Sequence, residues 1–224
     1  MGGDKGSPAT PLRVRGLKAP LYCRPGTSDV DTFRDTFWGK YHRPPDDLAP
    51  IRSILDLGSN VGFTMLDFVR TYPKARILGI ELDAGNYEMC SGNIQPYANR
   101  CRVLHGAAWY EDGEVTYGGE AEWAFRVKPD GPAKVRAWSI SSLIAILGGS
   151  VDFLKMDIEG AEQDVLARCD GWIRSVRCLK TEVHPPYTVE ECLRRLGGLG
   201  FSCRRDPRHR AAVVALAPRF LQSD

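Results

Sequence analysis

Residues 54–64 read ILDLGSNVGFT, an apolar run that ends at Leu57, breaks on Gly58 and Gly62, and resumes with Phe63. Glycines at the end of a buried strand allow positive φ and let a ligand come close where a Cβ would block it. This stretch therefore reads as strand, ligand-binding turn and helix. The pattern recurs along the chain. Periodicity predicts strands at 53–57, 76–81, 101–107, 151–157 and 177–183, helices at 62–72, 84–95, 141–147, 160–169 and 188–197, and a closing pair at 201–205 and 211–216. EDGEVTYGG (111–119) and KVRAWSI (134–140) read as shorter strands around an Asp-Gly turn. RILGI, VDFLKMD and CLKTEV are apolar on both faces, as a parallel sheet covered by helices requires. The class is α/β, doubly wound.

Upstream, residues 1–19 open with MGGDKGSPATP, which has no periodicity and reads as a flexible tail. Residues 20–50 form an N-terminal cap element: a short strand, a turn, and a helix started by Ser28 or Asp29 with Phe33, Phe37 and Tyr41 at four-residue spacing. RPPDDLAP cannot continue that helix, so the main domain spans 51–224. At 224 residues and 43% hydrophobic content the chain can bury one full core, and a net charge of +2 points to no nucleic-acid or membrane surface. Seven cysteines without a C-x-x-C pair are expected as reduced, buried thiols. With no signal segment and no membrane-length apolar run, a cytoplasmic protein is expected. The sequence assigns no oligomeric state.

The glycine turn is neither G-x-G-x-x-G nor a triphosphate loop, and it carries no lysine. Asp56 ahead of it would repel phosphate but suits an ammonium or sulfonium, while Gly58 and Gly62 allow close backbone approach, which points to S-adenosylmethionine. The next strand ends at Glu81, where a carboxylate can accept both ribose hydroxyls. Ala107, Ala108 and Trp109, after the neighbouring strand, are placed to form an adenine slot. In VDFLKMDIEGAEQDVL, Lys155 sits in a strand, Asp157 ends it, and Glu159 and Glu162 open the next helix. Glu162 reads as a charge complementing the helix dipole. The following strand ends TEVH, so alternation sends Glu182 and His184 to one side, toward the crevice that Asp157 faces. Asp157, Glu182 and His184 are the candidate catalytic residues. His184 suits a general base near neutral pH. The same three also form a donor set for a hard divalent cation, Mg²⁺ or Mn²⁺, and both readings stay open. The basic stretch CRRDPRHR (203–210) is either an anion-attracting hairpin or a solvated turn.

These segments together, LYCRPGTSDVDTF, ILDLGSNVGFTMLDF, GIELD, FLKMDIEGAEQDVL and TEVH, resemble the FkbM family of S-adenosylmethionine-dependent methyltransferases. The resemblance spans about residues 20 to 205. It implies a Rossmann-like class I methyltransferase fold with a seven-stranded, mostly parallel sheet, helices on both faces and an antiparallel C-terminal strand. It also implies that Asp56, Gly58, Asn60, Gly62 and Glu81, with Ser59 in the same turn, hold the cofactor, and that a methyl group is transferred to a hydroxyl of a small molecule, a secondary metabolite or sugar. The competing expectations are an N-methyltransferase and a silent cofactor-binding scaffold.

Overall fold

The computed structural model describes residues 9–119, 126–128 and 130–218. Its elements run β1 (Thr10–Leu12), β2 (Leu21–Cys23), α1 (Asp29–Arg34), β3 (Ser53–Leu57), α2 (Phe63–Thr71), β4 (Arg76–Glu81), α3 (Ala84–Ile94), β5 (Cys101–His105), β6 (Ala107–Trp109) and β7 (Gly113–Gly118). They continue with β8 (Arg126–Val127), β9 (Ala133–Ser139), α4 (Ile140–Ile146), β10 (Val151–Met156), α5 (Glu162–Ala167), β11 (Val176–Glu182), α6 (Val189–Gly198), β12 (Ser202–Arg205) and β13 (Ala212–Leu216).

The main sheet has 7 strands in the order β12-β13-β11-β10-β3-β4-β5, and β13 runs antiparallel to both of its neighbours. This is the expected Rossmann-like, class I methyltransferase sheet. Alternation along each strand feeds two cores. Leu55, Leu57, Leu154 and Met156 face α4, α5 and α6. Ile54, Phe153 and Cys178 face α2 and α3. Helices thus cover both faces, and the strands bury nearly every residue. The strand order reverses between β3 and β10, which pair in parallel with Asp56 opposite Lys155. A crevice opens beyond their carboxyl ends.

Two expectations are corrected. Residues 1–8 of the expected tail lie outside the described residues, but Thr10–Leu12 pairs antiparallel with Leu21–Cys23 rather than trailing free. The predicted strand 101–107 divides at Gly106, where φ is +150° and a Cβ would lie 2.5 Å from the Arg136 carbonyl. Beyond that break, Ala107–Trp109 joins a second, 4-stranded sheet of order β6-β9-β7-β8. The cysteines are free thiols, six of them buried and Cys203 partly so. Among the described residues no helix is long and apolar enough to cross a membrane.

The cap element closes over α2 and α3. Leu21 and Cys23 enter the core. After α1 the chain makes a π turn over Asp35–Gly39, which ends where Lys40 turns left-handed at φ 53°. The predicted helix therefore stops before Tyr41. Asp67 on α2 ties the cap down: it accepts from Arg43 at 2.7 and 2.9 Å and pairs with His42 at 3.0 Å. Lys180 on β11 donates to the Tyr41 and Arg43 carbonyls and pairs with Asp206, while Arg208 meets Asp46 at 2.8 Å. The cap loop and the β12–β13 hairpin are thus held to each other.

Candidate active site

The glycine turn forms the floor of the crevice. Gly58 has φ +80°, and a Cβ there would lie 1.8 Å from the Asp157 carbonyl. The close approach that demands glycine is therefore made by the chain itself, not by a ligand. Gly62 starts α2 at φ +86°, and a Cβ there would meet Cys90 Sγ at 2.8 Å, so this glycine lets α2 pack on α3. Asp56 is fully buried. It accepts from Thr64 Oγ1 at 2.5 Å and pairs with Lys155 Nζ at 3.3 Å. Lys155 also meets Asp157 at 3.4 Å and donates to the Gly58 carbonyl at 3.1 Å. Burial would lower the lysine's pKa, but Asp56 and Asp157 override it and hold the ammonium charged. Asp56 thus braces the floor from below, which corrects its expected role as a ligand-facing acid.

Above this floor lies a cleft of about 650 Å³ that includes Gly58, Asn60, Glu81, Gly106, Ala107 and Ala108 in its walls. Glu81 Oε2 accepts from the Asn60 N–H at 2.7 Å and Oε1 from the Asp83 N–H at 2.9 Å. Burial dominates those two bonds and pushes the Glu81 carboxyl up to about 7. Asn60 itself sits at φ 47°, a left-handed conformation held where the turn meets the carboxylate. Asn86, Val127 and Leu82 complete this end of the cleft. A carboxylate beside small apolar residues suits a ribose next to a flat base.

A second cavity, of about 530 Å³, adjoins the first and shares Gly58, Asn60, Asp157 and Glu159 with it. Its other walls include Thr32 and Tyr41 from the cap, Phe63 and Glu182. His184 projects into this acidic region. Its Nδ1 lies 3.0 Å from Glu162, and its Nε2 is 3.6 Å from Glu159, 3.8 Å from Glu182 and 4.0 Å from Asp157. Burial would lower the His184 pKa, but the Glu162 bond and the charges of Glu162, Asp157 and Glu159 raise it to about 9. This corrects the expectation of a base titrating near neutral pH: at pH 7 the ring is an imidazolium. Burial and Asp157 in turn push the Glu159 carboxyl up to about 7 and raise Glu182. Asp157, Glu182 and His184 each offer one ligand atom, and these atoms lie within 4.8 Å of one another.

The structure brings together Gly58, Asn60, Glu81, Ala107 and Ala108 on one cavity and Asp157, Glu182 and His184 beside the other. Ser59 lines only the second cavity, with its hydroxyl donating to the Asp56 carbonyl at 3.0 Å. Trp109 lies outside both and tilts against Tyr110, with ring centroids 4.7 Å apart. Glu162 exceeds its expected part as a dipole complement. It is fully buried, accepts from the Ile158 and Gly160 N–H groups at 2.9 Å each, and orients His184. From the basic stretch, His209 reaches within 3.7 Å of Glu182, a position that no local pattern signals. Asp206 of the same stretch is buried, Arg205 pairs with Glu190 and Arg208 with Asp46, so it forms a braced hairpin rather than an open anion site.

The chain is 27% identical over 193 residues to the 2-O-methyltransferase NoeI of Sinorhizobium fredii, covering 76% of each. In fold it is similar to an O-methyltransferase family protein from Burkholderia thailandensis, with TM-score 0.51, 9% identity, and 82% of this chain against 56% of that one. It is also similar to the METTL16 methyltransferase domain, with TM-score 0.50, 10% identity, and 84% against 65%. Residues 56–203, which carry the glycine turn, Glu81 and the Asp157–His184 cluster, match the family described as the methyltransferase FkbM domain. The chain is therefore a member of the FkbM methyltransferase family.

Proposed function

We propose that the protein transfers the methyl group of S-adenosylmethionine to a hydroxyl of a small molecule. The observation that carries this reading is the shared wall of the two cavities. A nucleoside lying along Glu81, Ala107 and Ala108 would direct its sulfonium toward Gly58 and Asp157, where an acceptor in the second cavity can meet it in line. The relative named a 2-O-methyltransferase supports oxygen as the acceptor atom. When bound, S-adenosylmethionine would supply an activated methyl group, and the protein's part would be to hold the acceptor oxygen against it and to take up the hydroxyl proton.

His184, Asp157 and Glu182 are the residues that take up or steer that proton. With Glu162 holding Nδ1, His184 turns Nε2 toward Asp157, Glu159 and Glu182, which line the second cavity, and it accepts a proton once its own is lost, toward pH 9. A second reading rests on the convergence of the three ligand atoms within 4.8 Å. Backing of a histidine nitrogen by a carboxylate, as Glu162 does here, is the usual partner arrangement of a ligating imidazole. A divalent cation held there would acidify the hydroxyl.

The test is transfer from labelled S-adenosylmethionine into small-molecule extracts, with product structure read by mass spectrometry. With an acceptor in hand, His184→Ala should lower kcat by roughly 10² to 10⁴ while leaving cofactor affinity nearly unchanged. Without a cation, the wild-type rate should climb with pH toward about 9. With one, chelation should abolish activity and Mn²⁺ should restore it. Full activity in His184→Ala after metal stripping would remove both versions.

A further inference from the structure

The cap element supplies part of the wall of the second cavity, so an effect on acceptor binding is its plain role. Its hydrogen bonds reach further. On β2, the Tyr22 N–H donates to Asn93 Oδ1 at 2.7 Å, and Asn93 Nδ2 donates back to the Tyr22 carbonyl at 3.1 Å and to the Val61 carbonyl at 2.9 Å. One α3 side chain thereby joins the cap strand to the glycine turn. Two turns earlier on α3, Arg24 Nη2 donates to Asn86 Oδ1 at 2.8 Å. Asn86 is buried and stands in the wall of the first cleft. Its own N–H donates to Asp83 Oδ1 at 2.8 Å, and the Asp83 N–H donates to Glu81 Oε1 at 2.9 Å. A continuous chain of hydrogen bonds therefore runs from Arg24 through Asn86 and Asp83 to the candidate ribose acceptor.

Arg24 is itself rigidly held. Fully buried Asp29, the first residue of α1, takes its backbone N–H at 2.9 Å, Nε at 3.0 Å and Nη2 at 2.7 Å. Such a planar, forked pairing fixes the guanidinium in orientation as well as position. α1 also brings Thr32 to the second cavity. One arginine thus references both half-sites to each other.

We infer that Arg24, a cap residue, is a positioning residue of the cofactor site, acting through Asn86 on the wall that ends in Glu81. This inference rests on the cofactor reading proposed above, and its test needs no acceptor. Dissociation constants for S-adenosylhomocysteine are measured by calorimetry for the wild type, Arg24→Gln, Arg24→Lys, Asn86→Ala and the Arg24→Gln/Asn86→Ala pair, well below each variant's melting temperature. Arg24→Gln should weaken binding roughly fivefold or more, and Arg24→Lys, which keeps a donor but not the fork, by less. Asn86→Ala should weaken it too, and the double variant should be no weaker than the weaker single, since both act along one chain. A lowered melting temperature with an unchanged dissociation constant in Arg24→Gln would make the arginine merely structural and overturn the inference. So would full additivity in the pair. Should Arg24→Gln not fold, Arg24→Lys carries the same decision, because binding equal to wild type there overturns it as well. A wild type that fails to bind S-adenosylhomocysteine would instead remove the cofactor reading, and the inference with it.

Discussion

Glu81→Gln is a sharp probe of the cofactor cleft because both carboxylate oxygens are already committed, one to the Asn60 N–H and one to the Asp83 N–H. A glutamine must turn its amide NH₂ toward one of those donors, so it loses the charge that a ribose diol would meet and also loosens the turn. Removing a charge-assisted bond costs about 1.5–3 kcal/mol, which raises the dissociation constant roughly 10- to 150-fold. The same carboxylate sets a pH dependence. Burial raises it to about 7 in the free protein, against the two backbone bonds that favour ionisation. Ribose hydroxyls donate, so the ligand selects the ionised form, and affinity should be full in mild alkali and fall as pH drops through 7. One unit below that value only about a tenth of the free protein carries the charge, which weakens binding roughly tenfold. Calorimetric titration of S-adenosylhomocysteine across this range, in wild type and Glu81→Gln, separates this ionisation from those of Glu159 and His184, which remain in both. A wild-type affinity with the same pH slope as the variant, or a variant that binds as tightly as wild type, would refute the ribose assignment.

Two further substitutions test the floor. Gly58→Ala places a Cβ against the Asp157 carbonyl at a left-handed φ; the conformation alone costs about 1–3 kcal/mol, so the melting temperature should fall by roughly 5 °C or more, and an unchanged melting curve would show that the two strand ends can part freely. Lys155→Met strands the fully buried Asp56, and the partly exposed Asp157 beside it, without their shared cation, at about 3–5 kcal/mol. Denaturant unfolding should show the loss, and a variant as stable as wild type would mean that the pair is not maintained in solution.

Much of the sheet was legible because its central strands are apolar on both faces and bounded by glycine or acid: 53–57 and 76–81 fall where alternation and turn chemistry place them. The second sheet was legible only in part: its strands at 113–118 and 133–139 overlap the expected short strands, but the strand at 107–109 that joins them was not foreseen. Cys101 to Ala107 reads as one apolar strand, and what divides it is the Arg136 carbonyl pressed against Gly106, a contact thirty residues away in sequence. The site divides in the same way. Glu81, Asp157, Glu182 and His184 stand at strand ends, a local signal that the parallel topology converts into convergence. The roles of Glu162, Asn86 and His209 depend on which side chain arrives opposite them, and no window of neighbouring residues contains that information. Gly58 shows a subtler failure: the need for glycine was legible, while its cause, a carbonyl on the neighbouring strand, was not.

The fastening of the cap loop to the β12–β13 hairpin, through Lys180 with Asp206 and Arg208 with Asp46, bears on how such an enzyme can be re-engineered. The second cavity takes wall residues Thr32 and Tyr41 from a first segment, the cap, and its Glu182 is met at 3.7 Å by His209 of the hairpin, far away in the chain. A chimera that imports only the first segment from a relative would meet a hairpin shaped for the old one, with Asp206 buried against a loop it no longer fits. The transplantable module is therefore discontinuous: residues 20–50 and 203–212 must travel together, with the residue at Lys180 matched to both and with Asn86 and Asn93 of α3 matched to the incoming residues at Arg24 and Tyr22.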